Sequence, residues 1–156
     1  MEEIKKTKIL FVCTGNTCRS PMAEALFRLE AAKRGCADRY EASSCGLAAE
    51  NGAPASPNAV KVIGELGGDL TGHRARLASE ELLGGADVIC CMGMSHKSVI
   101  AHLLPQLAAR TCMTQPAIPD PFGGPPDLYR ETASALQSAV STLLDRLEKE
   151  RNDGNR

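Results

Sequence analysis

The sequence predicts an α/β domain in which a parallel sheet is covered by helices on both faces. Three observations predict it. The apolar runs at residues 9–13 and 86–92 are continuous rather than alternating, as strands buried on both sides are. Segments of helical period lie between the strands. Gly, Pro or a Ser-Pro pair marks most of the boundaries.

Residues 8–12 are the first strand, with Cys13 at its carboxyl end. Ser20-Pro21 starts a helix over residues 22–34, with Met22, Leu26 and Leu29 on one face and Gly35 as its stop. Residues 39–45 give a second, weaker strand ended by Gly46, and 47–55 a loop of small residues. Ser56-Pro57 repeats the start signal, Val60, Ile63 and Leu66 supply an apolar face, and Gly67-Gly68 ends that helix. The polar, basic stretch 69–77 leads to a short helix at 79–83 and a third strand at 86–92. Ser95 caps a helix running to about Leu104 and stopped by Pro105, and residues 110–114 are a fourth strand. After the proline-rich loop 115–126, the last helix carries Tyr129, Ala133, Leu136, Val140, Leu143, Leu144 and Leu147 as a core stripe and frays beyond Glu150.

A chain of 156 residues is one domain by length, with an ordered core expected over about 7–150. A net charge of −1 argues against nucleic acid as partner, and an aromatic content of 3% without Trp argues against base-stacking platforms. The seven cysteines are odd in number and irregular in spacing, with no paired CxxC, which argues against a structural zinc site; no metal and no cofactor are expected. The N-terminal apolar run is too short for a signal segment or a membrane span, so a cytoplasmic, monomeric protein with reduced thiols and no membrane partner is expected. His73, His96 and His102 show no ligand spacing and read as surface or packing residues, and Arg74 and Arg76 as solvated surface. Cys90 and Cys91 read as small core hydrophobes.

Residues 13–20 carry the chemistry. A free thiol, with a pKa of about 8.5, is mostly protonated at neutral pH, and only the thiolate is a good nucleophile. Four features here favour the thiolate of Cys13: the charge of Arg19, the N-terminus of the following helix, the backbone N–H groups of residues 14–19, and the Ser20 hydroxyl. The same donors suit a tetrahedral oxyanion, which the Arg19 fork can bind at two oxygens. Gly15 and Asn16 are residues that accept the left-handed backbone such a loop needs.

The run Cys13-Thr-Gly-Asn-Thr-Cys-Arg-Ser-Pro-Met-Ala-Glu24 resembles the signature of the low-molecular-weight protein tyrosine phosphatase family, and Asp120-Pro-Phe-Gly-Gly124 resembles that family's general-acid loop. Weaker echoes are Ser44-Cys-Gly46 and His73-Arg-Ala-Arg76, and the resemblance covers nearly the whole chain. It implies a flavodoxin-like four-stranded parallel sheet of order 2-1-3-4 with the site at the strand carboxyl ends. It implies further that Cys13 forms a cysteinyl-phosphate, that Arg19 and the loop amides of Thr14, Gly15, Asn16, Thr17 and Cys18 stabilise the transition state, and that Asp120 acts as acid and then base. By the same resemblance Asn16 holds the loop's shape and Ser20 helps sulfur leave.

The expected substrate is a phosphorylated protein. Thr17 stands where phosphotyrosine enzymes of the family often have Ile, and members resembling the bacterial protein-arginine phosphatases share both that Thr and the Asp-Pro-Phe-Gly-Gly loop. A small hydroxyl residue leaves room and a hydrogen-bond partner for a planar guanidino group, while Phe122 is the one obvious aromatic wall for a ring. Phosphoarginine is therefore the favoured substrate and phosphotyrosine the alternative. Thioredoxin-coupled arsenate reduction is a rival reading, but it needs a thiol relay after the third strand, and residues 92–100 hold no cysteine. A non-catalytic phosphate-binding module has no need of Cys13, Arg19, Ser20 and Asp120 together. Cys18, five residues from Cys13, is a candidate to resolve oxidised Cys13 as a disulfide.

Overall fold

The computed structural model describes residues 5–154, so the expectation for residues 1–4 ahead of the first strand lies outside the described residues. Strands β1 (Thr7–Cys13), β2 (Tyr40–Gly46), β3 (Val88–Cys91) and β4 (Thr111–Met113) form one parallel sheet in the order β2-β1-β3-β4. Helices α1 (Arg19–Lys33), α2 (Pro57–Glu65) and α5 (Pro126–Gly154) pack on one face, and α3 (Glu80–Gly84) and α4 (Met94–Leu103) on the other. Strand β1 explains the continuous apolar run. Its alternate residues Ile9, Phe11 and Cys13 join the core beneath α1, α2 and α5, while Leu10 and Val12 join the core beneath α3 and α4. The carboxyl ends of β1 and β3 open onto the same edge, where a doubly wound sheet places its ligands.

Several local expectations shift. Helix α2 buries Ala59, Val62 and Ile63, leaving Val60 half-buried and Leu66 exposed, because the small Ala59 lets the helix approach α1 and α5 by that side. Gly93, not Ser95, is the N-cap of α4. Pro105 ends α4 but opens a 3₁₀ helix, Pro105–Arg110, that the periodicity did not indicate. Strand β3 is only four residues long, shorter than the apolar run that contains it. All seven stripe residues of α5 are buried, and the helix continues to Gly154 instead of fraying at Glu150. Its end is held by the Arg151 guanidinium, which donates to the Lys5 carbonyl and Thr7 Oγ1 and lies over the Tyr40 ring.

Candidate active site

Strand β1 ends at Cys13 and α1 begins at Arg19, so the loop between them wraps around the space above the sheet edge. Cys13 Sγ lies 2.9 Å from Ser20 Oγ and accepts the Asn16 backbone N–H at 3.3 Å. The Asn16 carboxamide donates to that same Ser20 Oγ at 2.8 Å. The Ser20 hydroxyl hydrogen has two acceptors in reach, the Cys45 carbonyl at 3.4 Å and the nearer Cys13 sulfur. The Asn16 N–H and the Ser20 hydroxyl thus both lie within hydrogen-bond reach of the thiol.

The loop's shape is set by Asn16, which is wholly buried and left-handed at φ 56°, whereas Gly15 is not left-handed. Its carboxamide also donates to Ser44 Oγ and accepts the Arg76 backbone N–H, each at 2.9 Å. Its carbonyl meets His73 Nε2 at 2.7 Å. The loop backbone rests directly on Gly46, where a Cβ would collide with the Thr14 carbonyl and sit 2.9 Å from the Asn16 nitrogen. The Arg76 guanidinium is not solvated surface: it forks onto the Ser44 carbonyl at 3.0 and 3.2 Å. His96 is buried and meets Thr14 Oγ1 through Nε2 at 2.9 Å, so two histidines read as bystanders buttress the loop. Burial, then the nearby Arg19 charge, holds the His96 pKa below its usual value and keeps the ring neutral, against an opposing pull from Asp120.

Arg19 is 8% exposed and donates through one nitrogen to the Ile118 carbonyl at 3.1 Å; its other terminal nitrogen lies 3.6 Å from Asp120 Oδ2. Asp120 is half exposed, and its other oxygen accepts the Phe122 N–H at 3.1 Å, which fixes the carboxylate's orientation. A cavity of about 220 Å³ is lined by residues 13–19 with Asp120 and Phe122. Residues a hundred positions apart in sequence thus face one space: a thiol, an arginine fork, turned backbone amides and a carboxylate. That set can bind a tetrahedral oxyanion and offer it both a nucleophile and a proton.

Cys18 also lines the cavity, but its sulfur meets Ser56 Oγ at 3.0 Å and the Tyr129 hydroxyl at 3.3 Å, tying the loop to α2 and α5. Burial, then the Cys18 contact, pushes Tyr129 up to about 12, so its hydroxyl stays protonated. Sequence reading missed these supports. Ser44, Gly46, His73 and Arg76 stood within weak motif echoes, whereas Ser56 was marked only as a helix start, Tyr129 only as core and His96 only as a surface or packing residue.

Residues 8–153 match the family described as low molecular weight phosphotyrosine protein phosphatase. A protein-arginine-phosphatase of Bacillus subtilis (strain 168) is 35% identical over 150 residues, which cover 92% of this chain and 98% of that protein. Among solved structures, a low-molecular-weight protein tyrosine phosphatase from T. tengcongensis superposes with a TM-score of 0.85 at 38% identity, covering 90% and 99% of the two chains. A YwlE arginine phosphatase mutant with a phosphorylated active site serine superposes with a TM-score of 0.87 at 34% identity, covering 94% and 99%. Among the described residues no helix is long and apolar enough to cross a membrane. With the sheet order, the cradle and these likenesses in agreement, the chain belongs to the low-molecular-weight protein tyrosine phosphatase family, as a cysteine-dependent phosphatase.

Proposed function

We propose that this phosphatase removes phosphate from arginine side chains of proteins. The observation that carries the reading is the cavity wall, where Thr17 stands and Phe122 is the one aromatic side chain among the described lining residues. A phosphotyrosine slot gains from aromatic groups on both faces of a ring, whereas a planar polar guanidino group is served by a hydroxyl and a carboxylate. The similar proteins described as arginine phosphatases support the same substrate.

In the proposed reaction the Cys13 thiolate attacks phosphorus, a cysteinyl-phosphate forms and the P–N bond breaks. Asp120 gives its proton to the departing nitrogen, which is strongly basic because arginine's guanidinium has a pKa of about 12.5 or above. Water then attacks the phosphoenzyme, its proton passes to Asp120, and inorganic phosphate is released. The Ser20 hydroxyl, 2.9 Å from sulfur, stabilises the leaving thiolate, while Arg19 and the loop amides carry the oxyanion charge. The test is kcat/KM on matched phosphoarginine and phosphotyrosine peptides, for the native chain and Thr17→Ile. The native chain should prefer phosphoarginine and the variant should shift toward phosphotyrosine. A native preference for phosphotyrosine that Thr17→Ile leaves unchanged would sink the reading.

The chain is further proposed to act as a one-domain cytoplasmic monomer that needs no cofactor, with seven free thiols as the supporting observation for a reducing compartment. Cys13 and Cys18 line one cavity, and Cys18 is proposed to resolve an oxidised Cys13 as a disulfide. Peroxide inactivation that dithiothreitol reverses as fully in Cys18→Ser as in the native chain would dismiss that role.

A further inference from the structure

A second thiol site lies on the α5 side of the sheet. Cys90 of β3 and Cys112 of β4 are register partners on adjacent parallel strands and so share one face. Neighbouring strands run about 4.8 Å apart, inside the ~4.4–6.8 Å window of Cα separations that a disulfide spans. Cys90 is buried, whereas Cys112 is the one partly exposed cysteine among the seven. Both line a cavity of about 140 Å³ together with Gln115, Thr142 and Arg146. A water molecule's share of liquid volume is about 30 Å³, so the cavity has room for a small oxidant.

The two sulfurs have opposite characters. Cys90 is kept protonated first by the adjoining Cys112 side chain and then by burial, while Cys112 is drawn below the ordinary thiol range first by the adjoining Cys90 and then, against burial, by the charge of Arg146. A partly exposed cysteine drawn toward its thiolate form, beside a buried thiol and a cation, is the arrangement of a reactive cysteine with its resolving partner. Strand β4 is a three-residue edge strand, so small shifts that bring the sulfurs together disturb no neighbour on its outer side.

We propose that Cys112 and Cys90 are an oxidant-responsive pair in which a small hydroperoxide oxidises Cys112 and Cys90 closes a disulfide between β3 and β4. In the first step the Cys112 thiolate attacks the terminal peroxide oxygen and the O–O bond breaks. Cys112 becomes a sulfenic acid, and the hydroperoxide is reduced to an alcohol, or to water from hydrogen peroxide, after taking up a proton. In the second step Cys90 sulfur attacks Cys112 sulfur, the S–OH bond breaks, and hydroxide leaves with the Cys90 proton as water. The site uses neither Cys13 nor Cys18 and does not depend on which phosphoprotein the enzyme serves.

The experiment treats the native chain with hydrogen peroxide at neutral pH, alkylates free thiols, and maps peptides without reduction. The expected product joins the tryptic peptides 77–97 and 111–130, with fragmentation between Cys90 and Cys91 placing the link on Cys90. A Cys13→Ser/Cys18→Ser chain should form the same link. In Cys90→Ala, Cys112 should persist as a sulfenic acid trapped by dimedone, and in Cys112→Ala, Cys90 should stay reduced, with circular dichroism confirming that each variant is folded. The proposal is overturned if Cys112 remains alkylatable after peroxide, if it is driven to sulfinic acid while Cys90 stays free, or if Cys90 oxidises equally in Cys112→Ala.

Discussion

Replacing Asn16 by alanine tests whether one buried carboxamide sets the geometry of the phosphate loop. The substitution deletes hydrogen bonds to Ser20 Oγ (2.8 Å), to Ser44 Oγ (2.9 Å) and from the Arg76 N–H (2.9 Å). At about 1 kcal/mol net for each bond, the three contribute about 3 kcal/mol. Asn16 is wholly buried, so the orphaned Arg76 N–H adds about 1 kcal/mol more. The φ of 56° costs alanine about another 1 kcal/mol. The expected loss is about 5 kcal/mol, which approaches the whole stability of a marginal domain. Asn16→Gly removes the same bonds but tolerates the left-handed backbone, so it should be about 1 kcal/mol more stable than Asn16→Ala. Urea unfolding reads both numbers. In parallel, kcat/KM should fall on the order of 10²-fold in each variant, because the Ser20 hydroxyl and the loop amides lose their common anchor. An alanine variant that loses under about 1 kcal/mol, with glycine no better, refutes the reasoning.

Other outcomes follow from the same cradle. Asp120→Asn should lower kcat/KM by roughly 10²–10⁴-fold with the fold intact, since a half-exposed carboxylate stabilises little and its proposed role is to supply the proton; thermal melts and steady-state rates check the split. Gly46→Ala should lose at least about 2 kcal/mol and most activity, because its methyl must displace the Thr14 carbonyl and not a flexible side chain; urea unfolding measures it. His96 is held neutral by burial first and then by Arg19, so below about pH 6.5 the unfolded chain takes up a proton that the folded chain refuses. Stability should therefore fall as pH drops from 6.5 toward the folded-state value and be flat in this term above it. His96→Gln retains an N–H for Thr14 without the titration, so its urea midpoint should change less than the native one between pH 7.5 and pH 5.5.

The parts of the site that were legible in the sequence are those in which neighbours in the chain are neighbours in space. Strand β1, its thiol, the loop and the start of α1 are contiguous, and local rules sufficed to read them. The α5 stripe was legible for a related reason, because one long helix repeats its period enough times to fix its phase. Helix α2 is only nine residues long, and counting large side chains alone phased it on Val60 and Leu66 where Ala59 and Val62 face inward. The far end of α5 looked ready to fray because its polar residues carry no packing signal; the bonds from Arg151 to Lys5 and Thr7 cross about 145 positions.

The same distinction divides the site's chemistry from its shape. The groups proposed to react lie in one run of eight residues and one Asp-Pro turn, so their residue types announced them. The groups that hold the run in place come from the end of β2, the start of α2, the 69–77 loop, α4 and α5. They act through backbone atoms or through common side chains such as His96, Arg76 and Tyr129. A backbone N–H donating to Asn16 leaves no trace in residue type, and a histidine earns notice in sequence only beside other ligands. Gly46 is the instructive case. It reads as an ordinary strand terminator, yet its missing side chain is what lets the Thr14 carbonyl and Asn16 nitrogen settle onto β2. Close approach of backbone to backbone is a property of the folded pair, so only a structure or a resemblance reveals it. The reactive groups would therefore survive in a sequence that had lost the cradle, and the Asn16 and Gly46 variants separate those two requirements.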